Sequence, residues 1–172
     1  MIGVDMKKLF EKYREIILYL VFGVLTTAVG WVVYFAVLWA LKAIMGLPVD
    51  DTTSAKYIGA YTAAQVIQWV AAVLFAFFTN RKWVFTEADR SVSVPVQLVK
   101  FSAGRVVTFF IDYVVTFFGA LGLAVLIPAL TDFALLGRAW NLAEIGAKVL
   151  AAVIVIVCNY IFSKLFVFQN KS

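Results

Sequence analysis

Arg105 and Asp112 are charged residues within a long apolar stretch of the sequence, and they lie seven residues apart. In an α-helix this spacing is nearly two turns, so both side chains would share one face. If a helix begins near Lys100 and crosses a bilayer, Asp112 lies about 18 Å into it, where a charge costs on the order of 3 kcal/mol. This face is therefore expected to contact protein or water. Asp112 would act either as a direct ligand or as a carboxyl group that holds helices together.

Arg105 carries the side chain best suited to bind phosphate, because a planar guanidinium can donate two parallel hydrogen bonds to an anion. Its axial separation from Asp112, about 10 Å, is too long to assume a direct salt bridge. The alternative is that Arg105 extends its side chain toward the membrane surface. The face shared with Asp112 favours contact with an anionic headgroup.

Lys148 and Asn159 form a second pair, eleven residues or three helical turns apart in the last apolar stretch. Considered singly, Lys148 would extend outward to the membrane surface and Asn159 would hydrogen-bond a neighbouring helix. Considered together with Arg105 and Asp112, they would line one polar path. We treat this path as a candidate substrate-binding site.

Gln65 and Gln68 are three residues apart and would lie close together on one helix face. Small residues in the same stretch would allow another helix to approach closely, which favours a packing role for both amides. The amides also remain candidates for contact with a polar headgroup. A face of small residues would in addition permit a homodimer. These small residues are Gly59, Ala63, Ala64, Ala71, Ala72 and Ala76.

The composition requires a membrane. Of 172 residues, 64% are hydrophobic and only 15% are charged, and the mean hydropathy is +0.96. A soluble domain of this size cannot bury that much apolar surface. We therefore predict an all-α integral membrane protein with four transmembrane helices, each near or above the roughly 20 residues that a span needs. The apolar stretches are 16–41, 57–79, 101–127 and 142–163.

Lysine and arginine concentrate in the N-terminal arm, in the connection between the second and third helices and in the C-terminal tail. The positive-inside rule then places both termini and this connection in the cytoplasm, for a multi-pass protein of the cytoplasmic membrane. The net charge of +5 is accordingly interpreted as a signal of topology and of anionic lipids. It is not interpreted as a nucleic-acid-binding surface.

Two parts of the sequence resemble each other weakly. FGVLTTAVGWVVYF (22–35) matches FSAGRVVTFFIDYV (101–114), and NRKWVF (80–85) matches SKLFVF (163–168). The order of these segments predicts one membrane domain, residues 1–172, built as two tandem helical hairpins of the same orientation. The first repeat would cover about 16–86 and the second about 97–169.

The two matching endings suggest a site for an anion. Arg81 and Lys164 occupy equivalent positions, preceded by Asn80 and Ser163. The positive-inside rule and interfacial aromatic residues explain most of this pattern. The duplication goes beyond that rule, and we expect a cytoplasmic phosphate site between the two endings, with Arg105 contributing.

The segments that connect the predicted helices are too short to form a catalytic domain. Residues 86–97 are polar, contain Pro95 and form a short linker. Residues 122–141 are more apolar than an exposed loop. They would form either an interfacial helix on the outer surface or an extension of the third helix as far as Pro128.

In its sequence motifs the chain resembles the GtrA-like family of small four-helix membrane proteins. The resemblance rests on FGVLTT, on FSAGRVVTFFID and on the endings FFTNRKWVF and NYIFSKLFVF, and it covers about residues 22–168. It implies a role with polyprenyl-phosphate sugars. Members of this family are proposed to translocate the lipid-linked monosaccharide or to act as membrane partners of the glycosyltransferase that makes it.

An autonomous enzyme is not expected. The sequence contains no histidine and a single cysteine, Cys158, and it lacks phosphate-loop, dinucleotide-binding, H-E-x-x-H and C-x-x-C motifs. We predict no metal and no cofactor. Two functions remain open: translocation of a polyprenyl-phosphate-linked monosaccharide for cell-surface polysaccharide or glycoconjugate synthesis, and a non-catalytic anchor for a glycosyltransferase.

Overall fold

The structure is a computed structural model, and it describes residues 6–48, 51–131, 133–135 and 138–170. Within these residues, four helices are long and apolar enough to cross a membrane. The predicted number of spans is therefore confirmed, and the chain is a multi-pass membrane protein. The helices are α1 (Met6–Ile44), α2 (Ala55–Thr79), α3 (Val94–Leu126) and α4 (Leu142–Phe162).

The ends of the helices follow local sequence signals. Gly46 adopts a φ of +61° just after α1, a conformation that glycine takes without steric cost. Ser54 caps α2 by accepting a hydrogen bond from the backbone N–H of Tyr57 at 3.0 Å. Asn141 caps α4 in the same way, with the N–H of Glu144 at 3.1 Å. These caps satisfy backbone donors that would otherwise lack a partner.

Two helices begin before their apolar stretches. α1 begins at Met6, ten residues before the stretch 16–41, and α3 begins at Val94 rather than near Lys100 as expected. Pro95 lies in the first turn of α3, where its missing N–H costs nothing. The helices continue into these polar and charged segments because helical hydrogen bonding does not end where the apolar stretch ends. The predicted linker 86–97 therefore overlaps the start of α3.

The chain divides into two compact units, Met1–Ala88 and Asp89–Ser172. In the first unit α1 packs on α2, and in the second α3 packs on α4. Small side chains form much of the contact in each unit, as expected for helices that approach closely in a membrane. The repeat boundaries and the tandem orientation stay predictions. The buried alanines are Ala60, Ala64 and Ala76 in the first unit and Ala143, Ala147 and Ala151 in the second.

Each unit ends in a π-helical segment, Asn80–Val84 in the first and Ser163–Val167 in the second. The backbone N–H of Phe85 donates to the carbonyl of Asn80 at 2.9 Å, and Phe168 makes the same bond to Ser163 at 2.8 Å. Short π-helical turns occur often at functional sites. The two matching endings thus share a backbone geometry as well as a sequence pattern.

The connection after α3 forms a short hairpin. Strands β1 (Phe133–Leu135) and β2 (Arg138–Trp140) pair antiparallel, after a 3₁₀ turn at Pro128–Leu130. Of the two alternatives for this connection, the interfacial helix is therefore wrong, and an α3 that extends close to Pro128 is confirmed. Proline disfavours helical geometry in the residue before it, and Ile127 has φ −138° and ψ 76°.

Candidate functional site

Lys148 and Asp112 form an ion pair between α4 and α3. The ammonium nitrogen Nζ lies 2.6 Å from Oδ2 of the carboxylate, and the side chains are 59% and 29% exposed. Asp112 is near the middle of the 33-residue α3. The expectation that Lys148 extends alone toward the surface does not hold, because its ammonium is paired. The pair lies within two helices that cross the membrane, where isolated charges are costly.

Arg105 extends its side chain toward the start of α3, in the direction away from Asp112 on the same helix. Its guanidinium carbon lies 4.9 Å from the centre of the Phe101 ring, one turn toward the start of α3. Helical side chains lean in this direction because each Cα–Cβ bond tilts toward the N-terminus. The ring face provides a cation–π contact for the half-buried guanidinium. Arg105 and Asp112 therefore act at different heights on α3.

Asn159 is buried and bonds to the neighbouring helix, as one of its two predicted roles requires. The hydroxyl of Thr108 donates to Oδ1 of Asn159 at 2.9 Å, and both side chains are at most 6% exposed. Thr108 was not predicted as a site residue. A signal was present, since Thr108 lies between Arg105 and Asp112 on the same helix face. This contact and the Lys148–Asp112 pair are two polar links between α3 and α4.

Gln65 and Gln68 form a chain of amides in the first unit. Nε2 of Gln68 donates to Oε1 of Gln65 at 3.2 Å, and Nε2 of Gln65 donates to the hydroxyl of Tyr61 at 2.8 Å. The two amides line a cavity of about 470 Å³, in addition to the packing role expected for them. The cavity is lined by Trp31, Tyr34, Phe35, Gln65 and Gln68.

Gly30 explains how α1 approaches this amide chain. A Cβ atom at Gly30 would lie 2.9 Å from Oε1 of Gln68, which is closer than non-bonded contacts allow. Glycine at this position therefore makes room for the amide. Ala72 is the next neighbour, at 3.7 Å.

The side chains of the two endings differ in exposure. Asn80 and Ser163 are buried, Arg81 is half-buried and Lys164 is exposed. The ammonium of Lys164 donates to the hydroxyl of Tyr160 at 3.2 Å. The phosphate site expected between the endings stays a prediction.

A second cavity of about 320 Å³ lies in the second unit, near the start of α3. Gln97 is almost fully buried there, and its Nε2 donates to the carbonyl of Asp89 at 3.2 Å. The N–H of Asp89 donates in turn to the carbonyl of Gln169 at 2.7 Å, which joins this region to the end of the chain. Gln97 and Lys100 both line the cavity and were not predicted as site residues.

Within the part of the chain that the structure describes, no three His, Cys, Asp or Glu side chains lie close enough together to hold a metal ion. The chemistry that the described residues offer is therefore that of an ion pair, amides, aromatic rings and basic side chains. Such groups bind charged and polar headgroups by electrostatic attraction and hydrogen bonding.

A family model and several known proteins match most of the chain. The family model "GtrA/DPMS, transmembrane domain" matches residues 18–168. The chain is 29% identical over 166 residues to the cell wall teichoic acid glycosylation protein GtcA of Listeria monocytogenes serovar 1/2a, covering 94% of this chain and 89% of the relative. It is 30% identical over 154 residues to the uncharacterized membrane protein YwcD of Bacillus subtilis, covering 89% and 95%.

No solved structure matches the chain significantly. The family match covers most of the chain, with α1 from residue 18 onward and the whole of α2, α3 and α4. The resemblance inferred from the two endings and from the FGVLTT and FSAGRVVTFFID segments is thereby confirmed. The chain belongs to the GtrA/DPMS transmembrane domain family.

Proposed function

We propose that this protein takes part in glycosylation of a cell-surface polymer by translocating a polyprenyl-phosphate-linked monosaccharide across the cytoplasmic membrane. Relatives named as cell wall teichoic acid glycosylation proteins support the general role. Membership of the GtrA/DPMS family supports a membrane task in that process. The finer assignment, to translocation of the lipid-linked sugar, depends on the residues of the second unit.

The observation that carries this proposal is the Lys148–Asp112 pair. Apolar residues of the same volume would generally stabilise two packed helices as well as an ion pair does, so a pair within a membrane span suggests a function. An ammonium has three donors, and Lys148 is more than half exposed. It can therefore contact a second anion, such as a lipid phosphate, while it remains near Asp112.

In this mechanism the prenyl tail stays in the bilayer while the headgroup crosses. Arg105, Arg81 and Lys164 attract the phosphate near the cytoplasmic side, and Lys148 holds it within the membrane. Asp112 neutralises Lys148 when no substrate is bound. Movement is driven by the substrate gradient.

A second candidate function is a membrane anchor for a glycosyltransferase. It is favoured by exposed basic and aromatic side chains on the two π-helical segments, which would suit docking of a cytoplasmic protein. Trp83 is 43% exposed and Phe166 is 55% exposed, and Lys82 and Lys164 are exposed beside them. In this role the bundle would position the enzyme at the membrane without moving the lipid.

Reconstitution separates the two functions. Purified protein in liposomes is given polyprenyl-phosphate carrying labelled glucose, galactose or N-acetylglucosamine, and the label accessible at the opposite leaflet is measured over time. We expect faster transfer than in empty liposomes, and loss of that gain in Lys148→Met. Lys56→Met removes an exposed cation near the start of α2 and serves as the matched control.

Transfer no faster than in empty liposomes, for every sugar, would contradict translocation. Co-purification of a glycosyltransferase with the unmodified protein would then favour the anchor. Unchanged transfer by Lys148→Met would show that the ion pair is not part of the path.

A further inference from the structure

The cavity of the first unit combines aromatic rings with amides inside the membrane. Gln65 lies ten residues into α2, about 15 Å from its start, and Trp31 lies about 20 Å from the end of α1. Both depths fall within the roughly 30 Å hydrocarbon layer. Two amides at that depth have no bulk water to satisfy them, so a polar ligand is a natural partner.

The amides keep part of their hydrogen-bonding capacity for such a ligand. Each glutamine has two N–H donors, and in the contacts among the described residues each uses one. The carbonyl of Gln68 points toward Gly30, which has no side chain to fill the space. The volume of about 470 Å³ is within the range of small-molecule sites.

The aromatic rings of the cavity complement these donors. A pyranose ring has an apolar face of C–H groups and an edge of hydroxyls, so it packs against an aromatic ring while its edge hydrogen-bonds to amides. Trp31 and Phe35 supply exposed ring surface, at 65% and 64% exposure. Among the described residues that line the cavity none is charged, which disfavours an anion as the occupant.

Contacts between aromatic rings within each unit identify positions of the first unit that correspond to positions of the second. The ring of Tyr19 lies 6.3 Å from that of Phe85 in the first unit, and Phe101 lies 6.1 Å from Phe168 in the second. Phe85 and Phe168 directly follow the two π-helical segments, and their backbone N–H groups make equivalent hydrogen bonds, to Asn80 and Ser163 respectively. By this contact Tyr19 occupies the position of Phe101, and the sequence match of Phe22 with Phe101 stays a prediction.

This correspondence places neutral and charged groups at equivalent positions. Eleven residues after Tyr19 is Gly30, and eleven after Phe101 is Asp112. Fifteen residues before each π-helical segment are Gln65 and Lys148. The second unit thus carries an ion pair where the first unit carries an amide and a glycine.

We propose that the cavity lined by Trp31, Gln65 and Gln68 binds the neutral sugar of the lipid-linked substrate. This inference rests on the proposed function, since it assigns the sugar of that substrate to the first unit. Selectivity for one sugar over another accordingly resides in α1 and α2.

The test compares two kinds of probe bound to protein in lipid nanodiscs. One is polyprenyl phosphate carrying glucose, galactose or N-acetylglucosamine, and the other is the same lipid without sugar. Gln65→Leu with Gln68→Leu, and separately Trp31→Leu, should weaken binding of the preferred sugar lipid by about three- to tenfold, as expected for lost hydrogen bonds and ring contacts. Affinity for the sugar-free lipid should not change. Trp39→Leu is the control for Trp31, because it removes an exposed tryptophan of α1 that does not line the cavity.

A second pair of variants leaves the residues that line the cavity unsubstituted and adds a methyl group elsewhere on α1. Gly30→Ala places a methyl group against the amide of Gln68, whereas Gly23→Ala meets nothing within 4 Å. Only Gly30→Ala should weaken binding of the sugar lipid. Equal losses for both kinds of lipid, or unchanged binding by all cavity variants, would overturn the sugar site. An unmodified protein that binds the sugar-free lipid but gains nothing from any sugar would overturn it too, and one that binds neither kind of lipid would contradict the proposed function itself.

Discussion

The ammonium of Lys148 lies 2.6 Å from the carboxylate of Asp112, and this contact joins α4 to α3 within the membrane-spanning part of the second unit. Each charge lowers the cost of placing the other in a poorly solvated region. Removing one partner therefore does more harm than removing both.

We predict that Lys148→Met lowers the free energy of unfolding by about 1–3 kcal/mol, less than for a fully buried pair because Lys148 is largely exposed. The double variant Lys148→Met with Asp112→Leu should recover much of this loss. Thermal unfolding in detergent measures the effect. A double variant less stable than either single variant would contradict the pairing.

The Thr108–Asn159 hydrogen bond should stabilise the α3–α4 contact without binding substrate, since both side chains are buried. A double-mutant cycle of Thr108→Val and Asn159→Ala is expected to give a coupling energy of about 0.6 kcal/mol, and at most about 1.7. Thr27→Val is the control, because among the described residues the hydroxyl of Thr27 donates to the carbonyl of Gly23 in its own helix. If Asn159→Ala loses binding of the substrate headgroup while its free energy of unfolding is unchanged, Asn159 belongs instead to the substrate path.

Close packing of α3 on α4 depends on Gly119. A Cβ at this position would lie 3.2 Å from Cβ of Ala147, so Gly119→Leu should force the helices apart. We expect Gly119→Leu to lower the free energy of unfolding by about 1–3 kcal/mol, as is typical when a packed contact is overfilled. Gly122 lies on the same helix, and a Cβ there would meet no described atom within 4 Å, so Gly122→Leu should keep a melting temperature near that of the unmodified protein. Equal melting temperatures for the two variants would contradict this packing.

Asp51 links stability to pH at the start of α2. The hydroxyl of Ser54 donates to its carboxylate at 2.6 Å, and this bond, followed by the backbone N–H of Ser54, lowers the pKa of Asp51. A carboxyl with a lowered pKa stabilises the fold above its unfolded pKa, about 3.9, and this contribution disappears as the pH falls through the folded value.

Asp51→Asn should therefore flatten the pH dependence of unfolding below about pH 4. Glu87→Gln, at an exposed acidic residue, is the comparison. If the stability of Asp51→Asn changes with pH as much as that of the unmodified protein, the hydrogen bonds from Ser54 to Asp51 are not the cause of the pH dependence.

The sequence by itself determined the number of spans and the family. Length and hydropathy act along one chain segment, so 16–41 and the other three stretches predict helices without knowledge of their neighbours. The same reasoning placed Asp112 and Asn159 on internal faces, where the structure gives each a polar partner. Helix starts were less well predicted, because a helix extends beyond its apolar stretch.

Only the tertiary structure decided which side chains meet. The pairing of Lys148 with Asp112, the contact of Thr108 with Asn159 and the cavity beside Gly30 depend on how far one helix is shifted along the other. Sequence spacing defines the face of a residue on its own helix, but not its height relative to the partner helix. That height follows from packing of small residues such as Gly119 against Ala147, a property of two surfaces together.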